Sequence, residues 1–232
     1  MIVNVFERTE KKYRVEKNIV KDLIYSMSDN VMPDKFGKYT ICNLYFDTDD
    51  YSIIRKSTEK PVFKEKLRLR SYGVPSLESD VFFEIKRKYK GIVSKRRISL
   101  PLWEAQRYLR QGVSPSQDSQ IFREIDYMMK FYNPGPKLFL AYDRMAFWGV
   151  HNKDLRLTFD YNIRSRQDDL SLEQGDNGDL LLDKNVCIME IKTNSAIPLW
   201  LTEILSKNEI YPTSFSKYGT VYQQKIWSDY YV

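Results

Sequence analysis

The sequence is short of the residues from which most catalytic sites are built. One histidine, His151, and two cysteines stand among 232 residues, so a zinc site, a Ser-His pair or a Cys-His pair has nothing to draw on. His151 falls in a turn between strands and reads as an exposed loop residue. No Gly-x-x-x-x-Gly-Lys-Ser/Thr loop and no kinase-type glycine-rich loop is present, which excludes the two familiar ways of cradling phosphates on backbone amides. Glycine is scarce, at 9 residues, while aromatics reach 14%, a balance that argues against disorder. No apolar run approaches the roughly 20 residues that cross a bilayer. Met1 to Phe6 passes straight into Glu7-Arg8-Thr9-Glu10 without the profile of a signal peptide. Cys42 and Cys187 fall on apolar faces of predicted strands and read as buried, reduced thiols of a cytoplasmic protein.

Charge is what the chain has in quantity. Lys and Arg number 37 against 31 Asp and Glu, a formal net charge of +6. The excess favours anionic partners but is small enough that placement matters more than the sum. A hydrophobic content of 42% can fill a real core, and no Pro/Gly/Ser-rich linker divides the chain, so residues 1–232 read as a single domain.

The placement is most telling in Lys64-Glu65-Lys66-Leu67-Arg68-Leu69-Arg70-Ser71-Tyr72. In a strand, alternate side chains take opposite faces, so Lys64, Lys66, Arg68 and Arg70 share one and Leu67 and Leu69 the other. Two like charges about 7 Å apart repel by roughly 2 kcal/mol at an effective dielectric near 20. An exposed edge strand would screen that repulsion; an enclosed one would not. Val81 to Tyr89 alternates again, with Glu84, Lys86 and Lys88 beside Phe82 and against Val81, Phe83 and Ile85. After a Lys90-Gly91 turn, Val93, Lys95 and Arg97 line a face, and in Val186 to Thr193 Glu190 and Lys192 oppose Cys187, Met189 and Ile191. Such strands have two arrangements open to them: polar face to water in a half-covered sheet, or polar face turned into a closed barrel whose apolar outside is covered by helices. The barrel would offer a long, highly charged anion and its metal ion a site of Lys, Arg and Glu.

The rest of the chain supplies strands and helices for either arrangement. Phe6 to Val15 reads as a first strand, with Arg8, Glu10, Lys12 and Arg14 on one face. Glu16 to about Ser28 has helical spacing in Val20, Leu23, Ile24 and Met27. Pro33, Asp34 and Gly37 mark a loop, Tyr39 to Asp47 a strand and Asp50 to Ser57 a short helix. Pro101 opens a helix, and Ser119 to Tyr132 carries an apolar stripe of Ile121, Phe122, Ile125, Met128 and Met129 that reads as core. Asn133-Pro134-Gly135-Pro136 breaks the chain before strands at Leu138–Trp148 and Asp154–Asp160. Ser165 to Asn185, acidic and with an Asn177-Gly178 turn signal, reads as a solvated loop, with a lid over a barrel mouth as the alternative. Pro198 opens a short helix, and a last helical segment ends near Ile226.

In order along the chain stand Glu10-Lys11-Lys12-Tyr13, Asn43-Leu44-Tyr45-Phe46-Asp47-Thr48, Lys66-Leu67-Arg68-Leu69-Arg70-Ser71-Tyr72-Gly73, Phe83-Glu84-Ile85-Lys86 and Ser94-Lys95-Arg96-Arg97. Then come Tyr142-Asp143-Arg144-Met145-Ala146-Phe147, Met189-Glu190-Ile191-Lys192 and Phe215-Ser216-Lys217-Tyr218. Taken together they resemble the VTC domain, within the triphosphate tunnel metalloenzymes that also hold the CYTH proteins. The resemblance implies an α+β fold: a closed antiparallel β-barrel, or tunnel, of about eight strands with helices packed outside. It implies a polyphosphate polymerase that moves the terminal phosphoryl group of ATP onto a growing polyphosphate chain with Mn²⁺ or Mg²⁺. By position, Arg68, Arg70, Lys86, Lys95, Arg144, Lys192 and Lys217 correspond to the phosphate-binding set, joined by Lys12, Lys66 and Arg97. The resemblance further implies that Tyr142 and Ser216 fall beside the phosphates and that Glu190, with Glu10 and Glu84, supplies carboxylates for the metal.

The pattern departs from the family in places. CYTH-type relatives begin Glu-x-Glu-x-Lys, but here Arg8 takes the first position; one carboxylate fewer suits a polymerase better than activation of water. Ser214 stands where some members have a second lysine. The SPX domain and membrane helices of the eukaryotic complex have no counterpart, so direct membrane insertion is not implied and a membrane-protein partner is left open. A tripolyphosphatase or nucleoside triphosphatase is the first rival, and a non-catalytic polyphosphate-binding module the second. Nucleic acid is not an expected partner, because the basic residues alternate with aliphatic rather than stacking aromatic ones.

Overall fold

The structure is a computed structural model that describes residues 9–59, 61–90, 92–116 and 119–226. Phe6 to Arg8 of the predicted first strand and Gly91 of the predicted turn lie outside the described residues. The chain packs as two compact units. The first comprises Met1–Tyr39, Tyr142–Ile163 and Leu180–Phe215, the second Thr40–Ala141, Arg164–Asp179 and Ser216–Val232.

The strands are β1 (Thr9–Glu16), β2 (Val31–Asp47), β3 (Phe63–Tyr72), β4 (Asp80–Tyr89), β5 (Ile92–Pro101), β6 (Gly135–Gly149), β7 (Arg156–Arg166), β8 (Asp179–Leu180), β9 (Val186–Thr193) and β10 (Pro212–Thr213). The α-helices are α1 (Val20–Ser26), α2 (Ser52–Thr58), α3 (Leu102–Gln111), α4 (Gln120–Tyr132), α5 (Leu199–Lys207) and α6 (Lys217–Val221). This is the expected α+β architecture, with eight long antiparallel strands and two two-residue ones. In the first unit the hydrogen-bonded order is β10-β1-β9-β7-β6-β2, and in the second it is β6-β2-β3-β4-β5. β10 ends one ladder and β5 the other, so the described pairing is open and the closed barrel stays an expectation.

Each unit has its own core, formed by the apolar faces that alternation predicts. In the second unit, Leu44 and Phe46 of β2, Leu67 and Leu69 of β3 and Val81, Phe83 and Ile85 of β4 pack with Ala105 and Tyr108 of α3 and Phe122, Ile125 and Met128 of α4. Ser119 caps α4 by accepting from the Phe122 amide at 3.1 Å. In the first unit, Tyr13 and Val15 of β1, Leu157 and Phe159 of β7 and Cys187, Met189 and Ile191 of β9 pack with Leu23 of α1 and Leu201 and Leu205 of α5. Helices thus cover the apolar side of each sheet, and the charged strand faces lie on the other. Cys42 and Cys187 are both free and buried. Burial raises the thiol pKa of Cys42 to about 11 and that of Cys187 to about 12, so neither is a reactive thiolate.

Two sequence expectations need correction. The loop at Pro33 to Gly37 is instead part of β2; that end of the strand is exposed, which tolerates proline, and Gly37 takes φ +61°, bending the strand without ending it. The acidic segment after Ser165 is not simply a solvated loop. β7 continues to Arg166, whose guanidinium donates to the carbonyls of Ser171 at 3.0 Å and Asn177 at 2.8 Å and covers the Phe139 ring at 3.6 Å. Leu172 joins the core of the second unit. Gly178 permits this path: a Cβ there would meet the Ser165 backbone at 2.8 Å.

Candidate functional site

In the second unit, β3, β4 and β5 bring the cationic faces together residue by residue. The ladder sets Arg68 opposite Glu84 and Glu84 opposite Arg97, and in the next row Lys66 opposite Lys86 and Lys86 opposite Lys95. Three lysines therefore stand side by side, an arrangement that costs stability when like charges oppose directly. Lys66 donates to Ser216 Oγ at 3.1 Å, and the same hydroxyl caps α6 by accepting from the Gly219 amide at 3.2 Å. Lys217, half-buried, opens that helix, which is held by Tyr218 donating its hydroxyl to buried Asp47 at 2.9 Å.

Glu84 is the anionic centre of this face. Its side chain is 1% exposed, with Arg68 Nη2 at 2.7 Å, Lys95 Nζ at 2.6 Å and Arg70 and Arg97 each at 3.9 Å. Tyr45 accepts from Arg68 Nη1 at 3.0 Å, and Asn43 accepts from Arg70 Nε at 2.9 Å while donating to the Leu140 carbonyl. Both guanidiniums are thereby fixed in direction. Burial acts to raise the Glu84 pKa, but Arg68, Arg70 and Lys95 outweigh it and hold the carboxyl at about 2. Lys95 moves the opposite way from an ordinary ion-paired lysine. Burial, reinforced by repulsion from Arg70 and Arg68, lowers its pKa to about 8 despite the attraction of Glu84. Four cations share one carboxylate, and desolvation of the Lys95 ammonium beside them, more than their repulsion, is what favours its neutral form.

In the first unit, a second polar face is built from β1, β9, β7 and β6. Lys12 pairs with Glu190 and Glu190 with Thr158; one row along, Glu10 pairs with Lys192 and Lys192 with Arg156. Glu190, 6% exposed, has Lys192 Nζ at 3.2 Å and Arg144 Nη2 at 4.0 Å. Lys12 lies 3.4 Å from Glu10 and donates to the Phe215 carbonyl at 2.8 Å. Arg144 is buried and makes a two-pronged bond to Asp160 at 2.7 and 2.8 Å, with its guanidinium 5.1 Å above the ring of buried Tyr142. Burial would lower the Arg144 pKa, yet Asp160, Tyr142 and Glu190 raise it well above its ordinary value.

The candidate residues thus fall into two groups: Lys66, Arg68, Arg70, Glu84, Lys86, Lys95, Arg97, Ser216 and Lys217 in the second unit, and Glu10, Lys12, Tyr142, Arg144, Glu190 and Lys192 in the first. Asn43, Tyr45, Thr158 and Asp160 were missed. All four share strand faces with residues that were found, so alternation could have reached them; neutral or acidic residues beside a cationic set carry no signal of their own.

The carboxylates differ in their fitness for a hard cation. Glu84 is compensated by four cations and does not fit a metal ligand, so its sequence-based assignment as one is dropped. Among the described residues no group of three or more His, Cys, Asp or Glu gathers. A magnesium-like ion needs only one or two carboxylates when water and phosphate supply the rest. Glu190 and Glu10 fit that requirement: they sit diagonally on neighbouring strands, and Thr158, across from Glu190, holds a buried hydroxyl with no hydrogen-bond partner.

A family model described as the VTC domain matches residues 7–225. The chain belongs to the VTC domain family. No curated protein matches it. Among solved structures, this VTC domain is similar to a putative adenylate cyclase from Bacillus halodurans, at 18% identity and a TM-score of 0.56 over 89% of this chain and 92% of that one. It is also similar to a putative adenylyl cyclase from Hippeastrum described as having a dominant triphosphatase activity, at 15% identity and a TM-score of 0.52 over 92% of this chain and 94% of that one. At these identities the likeness is one of fold. Among the described residues, no helix of the VTC domain is long and apolar enough to cross a membrane.

Proposed function

We propose that this VTC domain is a polyphosphate polymerase, transferring the terminal phosphoryl group of ATP onto the end of an inorganic polyphosphate chain. The observation that carries the reading is the set of six cations on β3 to β5, Lys66, Arg68, Arg70, Lys86, Lys95 and Arg97, gathered around the single carboxylate of Glu84. Such an excess of positive charge is relieved by a polyanion and by little else, and family membership supports phosphate chemistry. Phosphoryl transfer asks the protein mainly for alignment and charge stabilisation. Arg68 and Arg70, held in direction by Glu84, Tyr45 and Asn43, would supply fixed guanidinium charge to phosphate oxygens, while Lys66, Lys86 and Lys95 would spread charge along the chain. Lys12 and Lys192 would do the same in the first unit, beside buried Arg144, whose direction Asp160 fixes. The acceptor phosphate is itself the nucleophile, so no covalent enzyme intermediate is required. Glu190 and Glu10 would hold Mn²⁺ or Mg²⁺, which when bound supplies charge neutralisation to the transferring group.

The test is incubation with ATP and Mn²⁺ and separation of products by size. Polymer is expected from the native chain and loss of at least a hundredfold in Arg68→Ala, since removing one preorganised charge at a transition state typically has that effect. Polymer made undiminished by both Arg68→Ala and Glu190→Gln would reject the assignment. The rival reading makes water the acceptor, and the activity described for the Hippeastrum protein favours it; orthophosphate without polymer is its signature.

A further inference from the structure

We infer that Trp148 and Arg156 form a stacking subsite for the nucleobase of a nucleoside triphosphate, at one end of the polar face of the first unit. The inference rests on the proposal that ATP is the phosphoryl donor, and it concerns residues that no phosphate-binding role accounts for. Arg156 continues the row Glu10, Lys192. Along β6, Trp148 falls on the same alternation as Tyr142 and Arg144, opposite Phe147 of the core. The β6–β7 hairpin, closed by the Gly149 amide donating to the Leu155 carbonyl at 2.9 Å, brings Trp148 beside Arg156. The Arg156 guanidinium lies 4.7 Å from the centroid of the indole.

Two features make this more than a surface contact. Trp148 keeps 38% exposure although its strand neighbours Ala146 and Phe147 are buried, so a large ring is held open at the end of a charged face. Arg156 Nε is buried with no hydrogen-bond partner, so at that nitrogen the guanidinium is held by packing against the indole and not by a polar contact. Indole and guanidinium planes are the surfaces on which bases stack, whatever their sequence. The spacing is also apt: two residues along a strand is about 7 Å, which separates the Arg156–Lys192 row from the Lys12–Glu190 row by roughly the reach of a nucleoside from its base to its first phosphate.

The subsite predicts that the protein distinguishes ATP from inorganic tripolyphosphate through Trp148. Titration calorimetry of Trp148→Ala should show ATP affinity weakened roughly tenfold, the usual worth of one base stack, with tripolyphosphate affinity within twofold of the native chain. Trp148→Phe should recover most of the ATP affinity while removing the ATP-induced change in tryptophan fluorescence. Equal weakening for both ligands, or unchanged ATP affinity in Trp148→Ala, would overturn the subsite. Binding is read without turnover, so absence of polymer synthesis would count against the polymerase alone, while parity of the two ligands in Trp148→Ala counts against the subsite alone.

Discussion

Glu84 and Lys95 tie the chemistry of the second unit to pH. Glu84 titrates at about 2 in the folded protein, below an ordinary glutamate near 4.3. It therefore contributes stability that is present above about pH 4.3 and is lost as pH falls towards 2. Glu84→Gln removes the counter-ion of four cations and should cost about 3 kcal/mol in urea unfolding at pH 7. Much of that loss should return on adding tripolyphosphate. An unchanged urea midpoint would show that the cations do not depend on Glu84. Lys95, with a folded pKa of about 8, should bind polyanions best when protonated, so tripolyphosphate affinity should decline as pH rises through 8. Lys95→Arg stays charged and should flatten that profile; identical profiles for the two proteins would remove Lys95 from the site. Arg144 has a different task. With both prongs on Asp160, it is positioned by a buried carboxylate, and Asp160→Asn should cost about 3 kcal/mol by leaving the charge half-paired.

Among the elements, the β3–β4–β5 ladder has the most direct functional consequence. Its register stacks Lys66, Lys86 and Lys95 in one row, which lowers the stability of the free protein and, on the proposed function, would be offset by a bound polyanion. Lys86→Met should raise the thermal midpoint without ligand by a few degrees and weaken tripolyphosphate binding at least tenfold. A variant both less stable and weaker in binding would mean the lysine row is structural. This ladder was legible in the sequence because strand alternation has a fixed period of two: Arg68 with Arg70, Glu84 with Lys86 and Glu190 with Lys192 fall on single faces with no tertiary information. The helices were legible from Pro101, Ser119 and Pro198 beside apolar stripes. What was hidden depended on partners distant in sequence. Nothing local says that Arg166 will gather the Ser171 and Asn177 carbonyls and fold an acidic segment against the core, or that Glu84 will be enclosed by four cations and lost as a metal ligand. Pro33 and Gly37 misled for the converse reason, because a strand exposed at that end tolerates residues that break a buried one.

Over the whole molecule, each compact unit has one apolar core roofed by helices and one charged strand face. A ligand that binds only the folded protein stabilises it according to its concentration relative to its Kd. Tripolyphosphate should therefore raise the thermal midpoint, an effect that declines with salt as the charges are screened, whereas single-stranded RNA should leave it near its starting value. The central claim is that the charged faces serve transfer of phosphoryl groups between phosphates. The most direct measurement is phosphorus NMR of the native chain incubated with ATP and Mn²⁺, beside Arg68→Ala and Lys192→Ala, one variant from each unit. The account predicts the interior-phosphate resonance of a growing chain in the native protein and its loss in both variants. Orthophosphate as the sole product of the native protein, or chain growth undiminished in both variants, would contradict it.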